Sequence, residues 1–293
     1  MNITATRFAT KARTWLLIAG LTGLLIAIGL LLGGGFLYIF VGLAVLMNVA
    51  GYWFSDRLAL KASRAQPVEP GTMPELEGMV QDLAQRARVP VPRLFLIPSE
   101  QPNAFATGRN PKHAAVAVTQ GLLQHLPPDQ VKGVLAHEFA HIKNRDILVS
   151  SIAAMAAGAI AAIANFLQFS LLFGGDDDDS PLGLIGTLAT IIIAPLAATL
   201  IQLAVSRQRE YLADATGAQL LGRGEPLANA LETLERGAEA IPMNVNPATA
   251  SLYMVNPLPR GGVANLFMTH PPLAERIRRL RALDGESAIG QVA

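Results

Sequence analysis

The sequence predicts an α-helical membrane protein that combines four transmembrane helices with an α+β domain outside the bilayer. Its 293 residues are 51% hydrophobic and only 15% charged, whereas soluble domains carry roughly 25% charged residues. Four apolar runs, each without a charged side chain and long enough to cross the hydrocarbon core as a helix, occur along the chain. The polar segments between them show helical periodicity and short apolar strands, which indicates a domain with a small sheet.

The first two apolar runs, at about residues 15–32 and 36–54, predict an N-terminal transmembrane hairpin within residues 1–57. Gly33 to Gly35 form its turn, and Trp53 is placed as interfacial aromatic side chains often are. The alternative is a secretory signal peptide. Because the first run is longer than a typical signal-peptide core and the second run follows at once, we favour the hairpin.

Residues 58–146 are predicted to form the first part of the α+β domain. They contain a polar linker, a helix and three short strands, at Gln66 to Gly71, Met73 to Val89, Arg93 to Pro98, Asn103 to Gly108 and Ala114 to Thr119. A further helix begins after Leu126-Pro127-Pro128-Asp129, since proline suits the first turn of a helix and Asp129 suits its positive end. Strands followed by helices are typical of an α+β domain.

A second transmembrane hairpin is predicted over residues 147–205, with spans at about 147–173 and 182–205. The loop between the spans contains four adjacent aspartates, Asp176 to Asp179. A cation site is one interpretation of this run, but its ligands are not spaced for one ion, so a solvated, self-repelling loop is favoured. Residues 206–293 then form the second part of the domain.

Lysine and arginine residues predict the orientation in the membrane. Under the four-span model they lie on one side, at the N-terminal tail, around Arg57 to Arg64, at Lys143 and Arg145, and at Arg207 and Arg209, and the two short turns contain none. The positive-inside rule therefore places both termini and the domain in the cytoplasm. This distribution predicts a multi-pass membrane protein.

The pattern His137-Glu138-Phe-Ala-His141 indicates a metal site. Residues four apart on a helix project from one face, so His137 and His141 can reach a single ion. The carboxylate of Glu138 would lie beside the open position of that ion, where it can move protons during peptide hydrolysis. The pattern also arises by chance, but apolar neighbours such as Val134 and Phe139 place it on a packed helix.

A catalytic zinc ion bound by two histidines needs a third protein ligand. Glu210 is the candidate, because it lies on the predicted continuation of the fourth apolar helix, and Asp214 lies one turn further on as a hydrogen-bond partner for a ligand histidine. The alternative is a solvated charge cluster with Arg207 and Arg209. From this segment alone the charge cluster would be favoured.

Four motifs together resemble the HtpX family of bacterial membrane metalloproteases. They are His137-Glu138-x-x-His141-Ile-Lys-Asn-Arg-Asp146, Ser206-Arg-x-Arg-Glu210-Tyr-x-Ala-Asp214, Thr269-His270-Pro271-Pro272 with Glu275-Arg276-Ile277, and Asn103-Ala-Phe-Ala-Thr-Gly108. The resemblance covers essentially the full length, including the four apolar runs. It implies a multi-pass protein of the bacterial cytoplasmic (inner) membrane with a zincin-like metalloprotease domain in the cytoplasm. The implied activity is that of a zinc-dependent endopeptidase that acts on misfolded or damaged membrane proteins.

By the same resemblance, His137, His141 and Glu210 bind one Zn²⁺ per subunit, and Glu138 is the catalytic base. His270 has two interpretations of equal weight, a stabiliser of the transition state or simply part of a helix start with proline in its first turn. The motif residues Asn103, Ala104, Phe105, Ala106, Thr107 and Gly108 are predicted to form an edge strand that binds extended substrates through their main chain. An ordinary strand whose small residues serve packing is the alternative.

The predicted partners are protein or peptide substrates, in particular membrane proteins, and the lipid bilayer. A net charge of +1 without a basic stripe argues against nucleic acid, and the absence of cysteine excludes disulfides and thiol catalysis. Two other functions remain open. One is a prenyl-protein-type membrane protease, which four spans disfavour, and the other is a non-catalytic membrane scaffold, which the presence of Glu138 disfavours.

Overall fold

The computed structural model describes residues 35–154, 207–243, 245, 247–257 and 271–290, together with residues 15–30 except 17, 21, 24 and 28. Several predicted features lie outside the described residues. They are the basic N-terminal tail, Gly33 and Gly34 of the first turn, the second transmembrane hairpin beyond residue 154 with its Asp176–Asp179 loop, and His270. The statements below concern the described part of the chain.

The first long helix, α1 (Phe36–Ala62), contains the second predicted span. Within the described residues it is the one helix long and apolar enough to cross a membrane, over Leu37–Ala62. Large apolar side chains such as Tyr38 and Ile39 are 80% and 63% exposed, as expected of a helix that faces lipid. The helix continues eight residues beyond the predicted span and ends at Ser63, before Arg64 adopts a left-handed conformation with φ 53°.

A hydrogen bond joins the first two apolar runs. The side-chain amide of Asn48 donates to the hydroxyl of Thr22 over 2.8 Å, and that hydroxyl donates to the carbonyl of Ile18 within its own run. Polar side chains in apolar helices commonly pair across a helix–helix contact, because an unpaired polar group in hydrocarbon is costly. The contact places Thr22 of the first run beside Asn48 of the second.

The sheet is small and mixed, with the strand order β1-β2-β4-β3. Its strands are β1 (Gln66–Pro67), β2 (Arg93–Ile97), β3 (Ala104–Thr107) and β4 (Ala115–Thr119). β2 and β4 are parallel, with Arg93 opposite Ala115, whereas β1 and β3 pair antiparallel with β2 and β4 respectively. The three predicted strands are confirmed to within two residues at each end. β1 was predicted as linker, since two residues that include a proline carry no strand signature.

Seven further helices have described bounds. They are α2 (Pro74–Ala87), α3 (Gln120–His125), α4 (Pro128–Asn144), α5 (Arg207–Leu221), α6 (Glu225–Ala240), α7 (Pro247–Ala250) and α8 (Leu273–Gly290). Residues 147–154 are also helical, and Pro111–His113 form one 3-10 turn. Most residues of 147–154 are buried in the domain, so the beginning of the predicted third span packs against protein.

The core has two parts, one on each face of the sheet. Because side chains alternate along a strand, Val116 and Val118 of β4 face a cluster that includes Val134, Leu135 and Phe139 of α4. The intervening residues of β4 face a second cluster, which contains Tyr253 and the end of α1. All five residues of β4 are therefore buried. The helix α4 packs against α2, α5, α6 and β3, which places it at the centre of the domain.

Gly133 lies at a close approach of α4 to the first turn of α6. A Cβ atom at Gly133 would lie 2.9 Å from the backbone nitrogen of Leu227 and 2.9 Å from the backbone of Pro226. We predict that Gly133→Ala lowers the free energy of unfolding by about 1–3 kcal/mol, because the two helices must separate. Thermal unfolding of the detergent-purified protein measures this change.

Gly78→Ala in α2 is the matched control. No atom lies within 4 Å of the added Cβ at this position, so the higher helix propensity of alanine should stabilise the protein by up to about 1 kcal/mol. The two substitutions are expected to have opposite signs. A stabilising Gly133→Ala would contradict the close approach of α4 and α6.

Candidate metal centre

The helix α4 carries two histidines with facing ring nitrogens. His137 and His141 lie one turn apart, and their Nε2 atoms are 3.0 Å from each other. The helix ends three residues later, at Asn144, because Arg145 adopts a left-handed conformation with φ 62°. Arg145 and Asp146 then donate backbone hydrogen bonds to the carbonyls of Ile142 and His141, which satisfies the end of the helix.

Glu210, in the first turn of α5, is the third member of the cluster. Its Oε2 lies 3.7 Å from Nε2 of His137, and its Oε1 lies 3.8 Å from Nε2 of His141. One ligand atom from each residue lies within 4.8 Å of the others. The close packing of α5 on α4 requires Gly217, since a Cβ atom there would lie 3.2 Å from the backbone nitrogen of His137. The structure therefore brings together the three predicted ligands.

Carboxylates hold the other nitrogen of each imidazole. Nδ1 of His137 lies 2.9 Å from Oδ1 of Asp214, as the spacing of Asp214 from Glu210 predicts. Nδ1 of His141 lies 3.1 Å from both oxygens of Asp146. A neutral imidazole that donates from Nδ1 presents a bare lone pair at Nε2. Both Nε2 lone pairs are thus directed into the space that Glu210 faces.

The role of Asp146 was missed in the sequence. It was quoted there only as part of the family motif, although it follows His141 by five residues. The available signal is an acidic residue directly after the predicted end of the histidine helix. Its side chain reaches back to His141 only because Arg145 turns the chain.

Arg276 of α8 was also given no role from the sequence. It is fully buried, and its Nε and Nη2 atoms each donate to a different oxygen of Asp214 over 2.8 Å. Its Nη1 lies 4.0 Å from Oε2 of Glu210. The available signal is periodicity, since Arg276 occupies the apolar stripe formed by Leu273, Ile277 and Leu280. An arginine in such a stripe must be paired.

The pairing of Asp214 with Arg276 fixes the charge of both groups. Burial alone would raise the pKa of the Asp214 carboxyl, but the charge and hydrogen bonds of Arg276, together with the hydrogen bond to His137, lower it to about 2. Burial would likewise lower the pKa of Arg276, whereas Asp214 raises it above its ordinary value. The carboxylate that orients His137 is therefore ionised at any physiological pH.

The donor set fits a metal cation. Two Nε2 lone pairs 3.0 Å apart repel each other unless a positive species lies between them. Burial would lower the pKa of His141, but Asp146 and then Glu210 raise it to about 10, and burial lowers the pKa of His137. The surrounding carboxylates thus favour a positive charge at this position. A cavity of about 20 Å³ is lined by His137, Glu138, His141 and Glu210, which is room for one ion or water.

Glu138 lines the same cavity and is not one of the three ligands. Its side chain is 3% exposed, and burial raises the pKa of its carboxyl to about 7. The backbone of Ala106 hydrogen-bonds this carboxyl, which fixes its direction from the edge of the sheet. A carboxyl with this pKa can both accept and release a proton near neutral pH.

The predicted substrate edge is partly occupied by the chain itself. β3 lies at the edge of the sheet, but the backbone nitrogen of Met254 donates to the carbonyl of Ala104 over 3.0 Å, and the Asn103 side chain donates to the carbonyl of Val255 over 2.7 Å. Gly108 has φ 139°, and a Cβ atom there would lie 2.5 Å from the carbonyl of His113. The absence of a side chain at Gly108 therefore allows it to pack against the backbone of His113. Of the six predicted residues, Ala106 alone lines the cavity.

Comparisons with known proteins show the family of this chain. The model of a family described as Peptidase family M48 matches residues 70–284. A Protease HtpX homolog of Syntrophobacter fumaroxidans is 52% identical over 281 residues, which cover 94% of this chain and 99% of that relative. A Protease HtpX homolog of Pyrococcus furiosus is 50% identical over 280 residues, which cover 94% of this chain and 97% of that relative.

Among solved structures, Ste24p of S. mikatae is similar at 22% identity with a TM-score of 0.48. The match covers 92% of this chain and 62% of that one, so this chain spans less than two thirds of its length. The sequence matches extend over nearly the whole of this chain and of its HtpX relatives. They show that the chain belongs to peptidase family M48 and, within that family, to the HtpX membrane metalloproteases.

Proposed function

We propose that the protein is a zinc-dependent endopeptidase that cleaves misfolded or damaged membrane proteins. The observation that carries this proposal is the convergence of His137, His141 and Glu210 on one ion-sized cavity that Glu138 also lines. Two imidazoles and one carboxylate are a typical ligand set for catalytic zinc with one open position. We assign His137, His141 and Glu210 as ligands of one Zn²⁺ per subunit.

The surrounding carboxylates orient the ligands. Asp214 and Asp146 accept the Nδ1 hydrogens of His137 and His141, so each ring keeps its Nε2 lone pair directed at the ion. Arg276 keeps Asp214 ionised and in place. When bound, zinc supplies a Lewis acid that polarises the peptide carbonyl and lowers the pKa of the attacking water.

Glu138 is assigned as the group that moves protons. Its carboxylate accepts a proton from the attacking water and then donates that proton to the leaving amine of the cleaved peptide. A pKa of about 7, caused mainly by burial, suits both steps at neutral pH. The backbone hydrogen bond from Ala106 holds the carboxyl toward the cavity. A non-catalytic scaffold would have no need for a buried acid at this position.

We further propose that the two hairpins, residues 1–57 and 147–205, form four spans in the cytoplasmic membrane, with the domain assembled in the cytoplasm from residues 58–146 and 206–293. The helix α1 and the Asn48–Thr22 hydrogen bond support the first hairpin. The lysine and arginine distribution supports the orientation. Substrates would then be segments that lie close to the bilayer.

Substrate main chain is proposed to pair with β3 at Ala106. Ala106 is the residue of the edge strand that lines the cavity beside Glu138. Main-chain pairing gives affinity without selecting side chains, which suits an enzyme that cleaves many damaged proteins. The hydrogen bond from Met254 to Ala104 limits this pairing to the end of the strand near the metal ligands.

We predict that Glu138→Gln lowers the rate of casein cleavage by about 10²- to 10⁴-fold, because it removes the proton carrier and leaves the three ligands in place. The zinc content of the purified variant should remain one ion per chain by elemental analysis. A variant that retains its activity would exclude Glu138 as the proton carrier, whereas an unsubstituted protein that cleaves no casein would support the non-catalytic scaffold. Loss of zinc together with activity would assign Glu138 to the ligand set instead.

Removal of a metal ligand should lower zinc affinity more than a change to a carboxylate that orients a ligand histidine. Glu210→Ala removes a metal ligand and is expected to abolish stoichiometric zinc binding. Asp146→Asn keeps the shape of the side chain beside His141 but removes its charge, so zinc affinity should fall by about 10- to 100-fold. Competition with a chromophoric chelator measures both affinities. Normal zinc affinity in Glu210→Ala would exclude Glu210 from the site.

Single cysteines test the proposed orientation, because the chain has no cysteine of its own. Cysteines at Gly34 and Asp178 should react with an impermeant thiol reagent added to intact cells, whereas a cysteine at Arg64 should react only after lysis. Arg64 directly follows α1 and is exposed. Labelling at Arg64 in intact cells would reverse the orientation.

A further inference from the structure

A second cavity lies at the end of α1 and shares no lining residue with the cavity at the metal ligands. It has a volume of about 400 Å³, and its wall contains four basic side chains, one carboxylate, one histidine and four apolar side chains. The basic residues are Arg57, Arg93, Arg109 and Lys112, the carboxylate is Asp56, the histidine is His113, and the apolar residues are Trp53, Phe54, Val91 and Ala114. We name this group the basic cavity.

The basic cavity lies at the depth of lipid headgroups if α1 spans the bilayer. The apolar stretch of α1 from Leu37 to Phe54 has a helical length of roughly 27 Å, close to the thickness of the hydrocarbon core. Asp56 and Arg57 follow within one turn. Trp53 and Phe54 are 51% and 46% exposed, and aromatic rings are enriched at this interface.

Two contacts hold the domain against this end of α1. Arg93, the first residue of β2, forms an ion pair of 2.5 Å with Asp56. The guanidinium of Arg109 lies 4.8 Å from the ring centroid of Trp53, a cation–π distance. The turn that carries Arg109 and Lys112 is therefore placed at headgroup depth, beside the helix.

The charge of the basic cavity is not balanced by its own residues. Asp56 is the single carboxylate in the wall and is paired with Arg93. Arg57, Arg109 and Lys112 add three further positive charges. Positive charges gathered beside exposed aromatic rings at a bilayer surface suit a ligand that has an anionic head and an apolar tail.

We propose that the basic cavity binds the phosphate headgroup of an anionic membrane lipid. The phosphate would accept hydrogen bonds from Arg57, Arg109 and Lys112, and the glycerol and acyl portion would lie along Trp53 and Phe54. The bound lipid would join α1 to the domain and fix the height of the metal centre above the bilayer. The inference rests on the proposed membrane placement of α1 and not on the proposed proteolysis.

Fluorescence of Trp53 provides the measurement. In a Trp15→Phe background Trp53 is the single tryptophan, and it lines the cavity. The full-length protein in a non-ionic detergent is titrated with dioctanoyl phosphatidylglycerol, dioctanoyl phosphatidylcholine and inorganic phosphate. We expect saturable binding of the anionic lipid that is at least about fivefold tighter than binding of the zwitterionic lipid, in keeping with the contribution of each interfacial cation. Inorganic phosphate should bind much more weakly than the anionic lipid.

Lys112→Gln tests the assignment of the cavity. It should weaken binding of the anionic lipid about fivefold, and Arg57→Gln combined with it should weaken binding about 25-fold. Neither change touches the metal site, so zinc content and cleavage of a soluble substrate should stay unchanged. Arg278→Gln is the matched control, because Arg278 is an exposed arginine of α8 that pairs with Glu275. It should leave lipid affinity unchanged.

Three results would overturn the proposal. They are equal affinity for the two lipids, an equal loss of affinity in Arg278→Gln and Lys112→Gln, and inorganic phosphate binding as tightly as the anionic lipid, which would indicate a site for a free anion. The cysteine-labelling experiment reports separately on the placement of α1. Correct labelling with failed lipid binding would reject the lipid site and leave the proposed protease intact.

Discussion

The buried guanidinium of Arg276 is the constraint on which the metal centre depends. A buried charge costs several kcal/mol unless it is paired, and here the partner is Asp214, which forms two hydrogen bonds with it. The same carboxylate accepts a hydrogen bond from His137. One chain of contacts thus links α8, α5 and α4, so the ring of His137 is in place only when all three helices are packed together.

The same electrostatic balance explains why four acidic groups can share a small space. Glu138, Glu210, Asp146 and Asp214 surround the two histidines, and their mutual repulsion must be offset. Arg276 supplies one fixed positive charge, and the position between the two Nε2 atoms requires another, a proton or a metal ion. The charge of the surrounding residues therefore favours a bound cation. The geometry of the three candidate ligands favours one as well.

Local patterns predicted the parts of the site that lie on one helix. His137 and His141 are four residues apart, as are Glu210 and Asp214, so helical periodicity predicts that each pair lies on one face of its helix. The structure places both pairs in this way. Contacts between distant segments could not be predicted in this way. The return of Asp146 to His141 depends on a left-handed Arg145, and the contact of Met254 with β3 depends on tertiary packing. Arg276 differs, because its position in the apolar stripe of α8 is evident from the sequence alone and indicates a buried arginine that needs a partner.

The position of the ligands along the chain connects the chemistry with the membrane. His141 lies on the helix that precedes the proposed second hairpin, and Glu210 lies in the first turn of α5, directly after it. The two halves of the metal site are therefore the points at which the chain leaves the domain and returns to it. Residues 147–154 remain buried against the domain, where Ser151 hydrogen-bonds Thr107 of β3. Ile147 and Ser150 of the same segment line the metal cavity, so residues 147–154 contact both the candidate metal site and the proposed substrate edge. On the other face of the sheet, Arg93 and Arg109 contact α1, so the sheet joins the metal cavity to the one described helix that is long and apolar enough to cross a membrane.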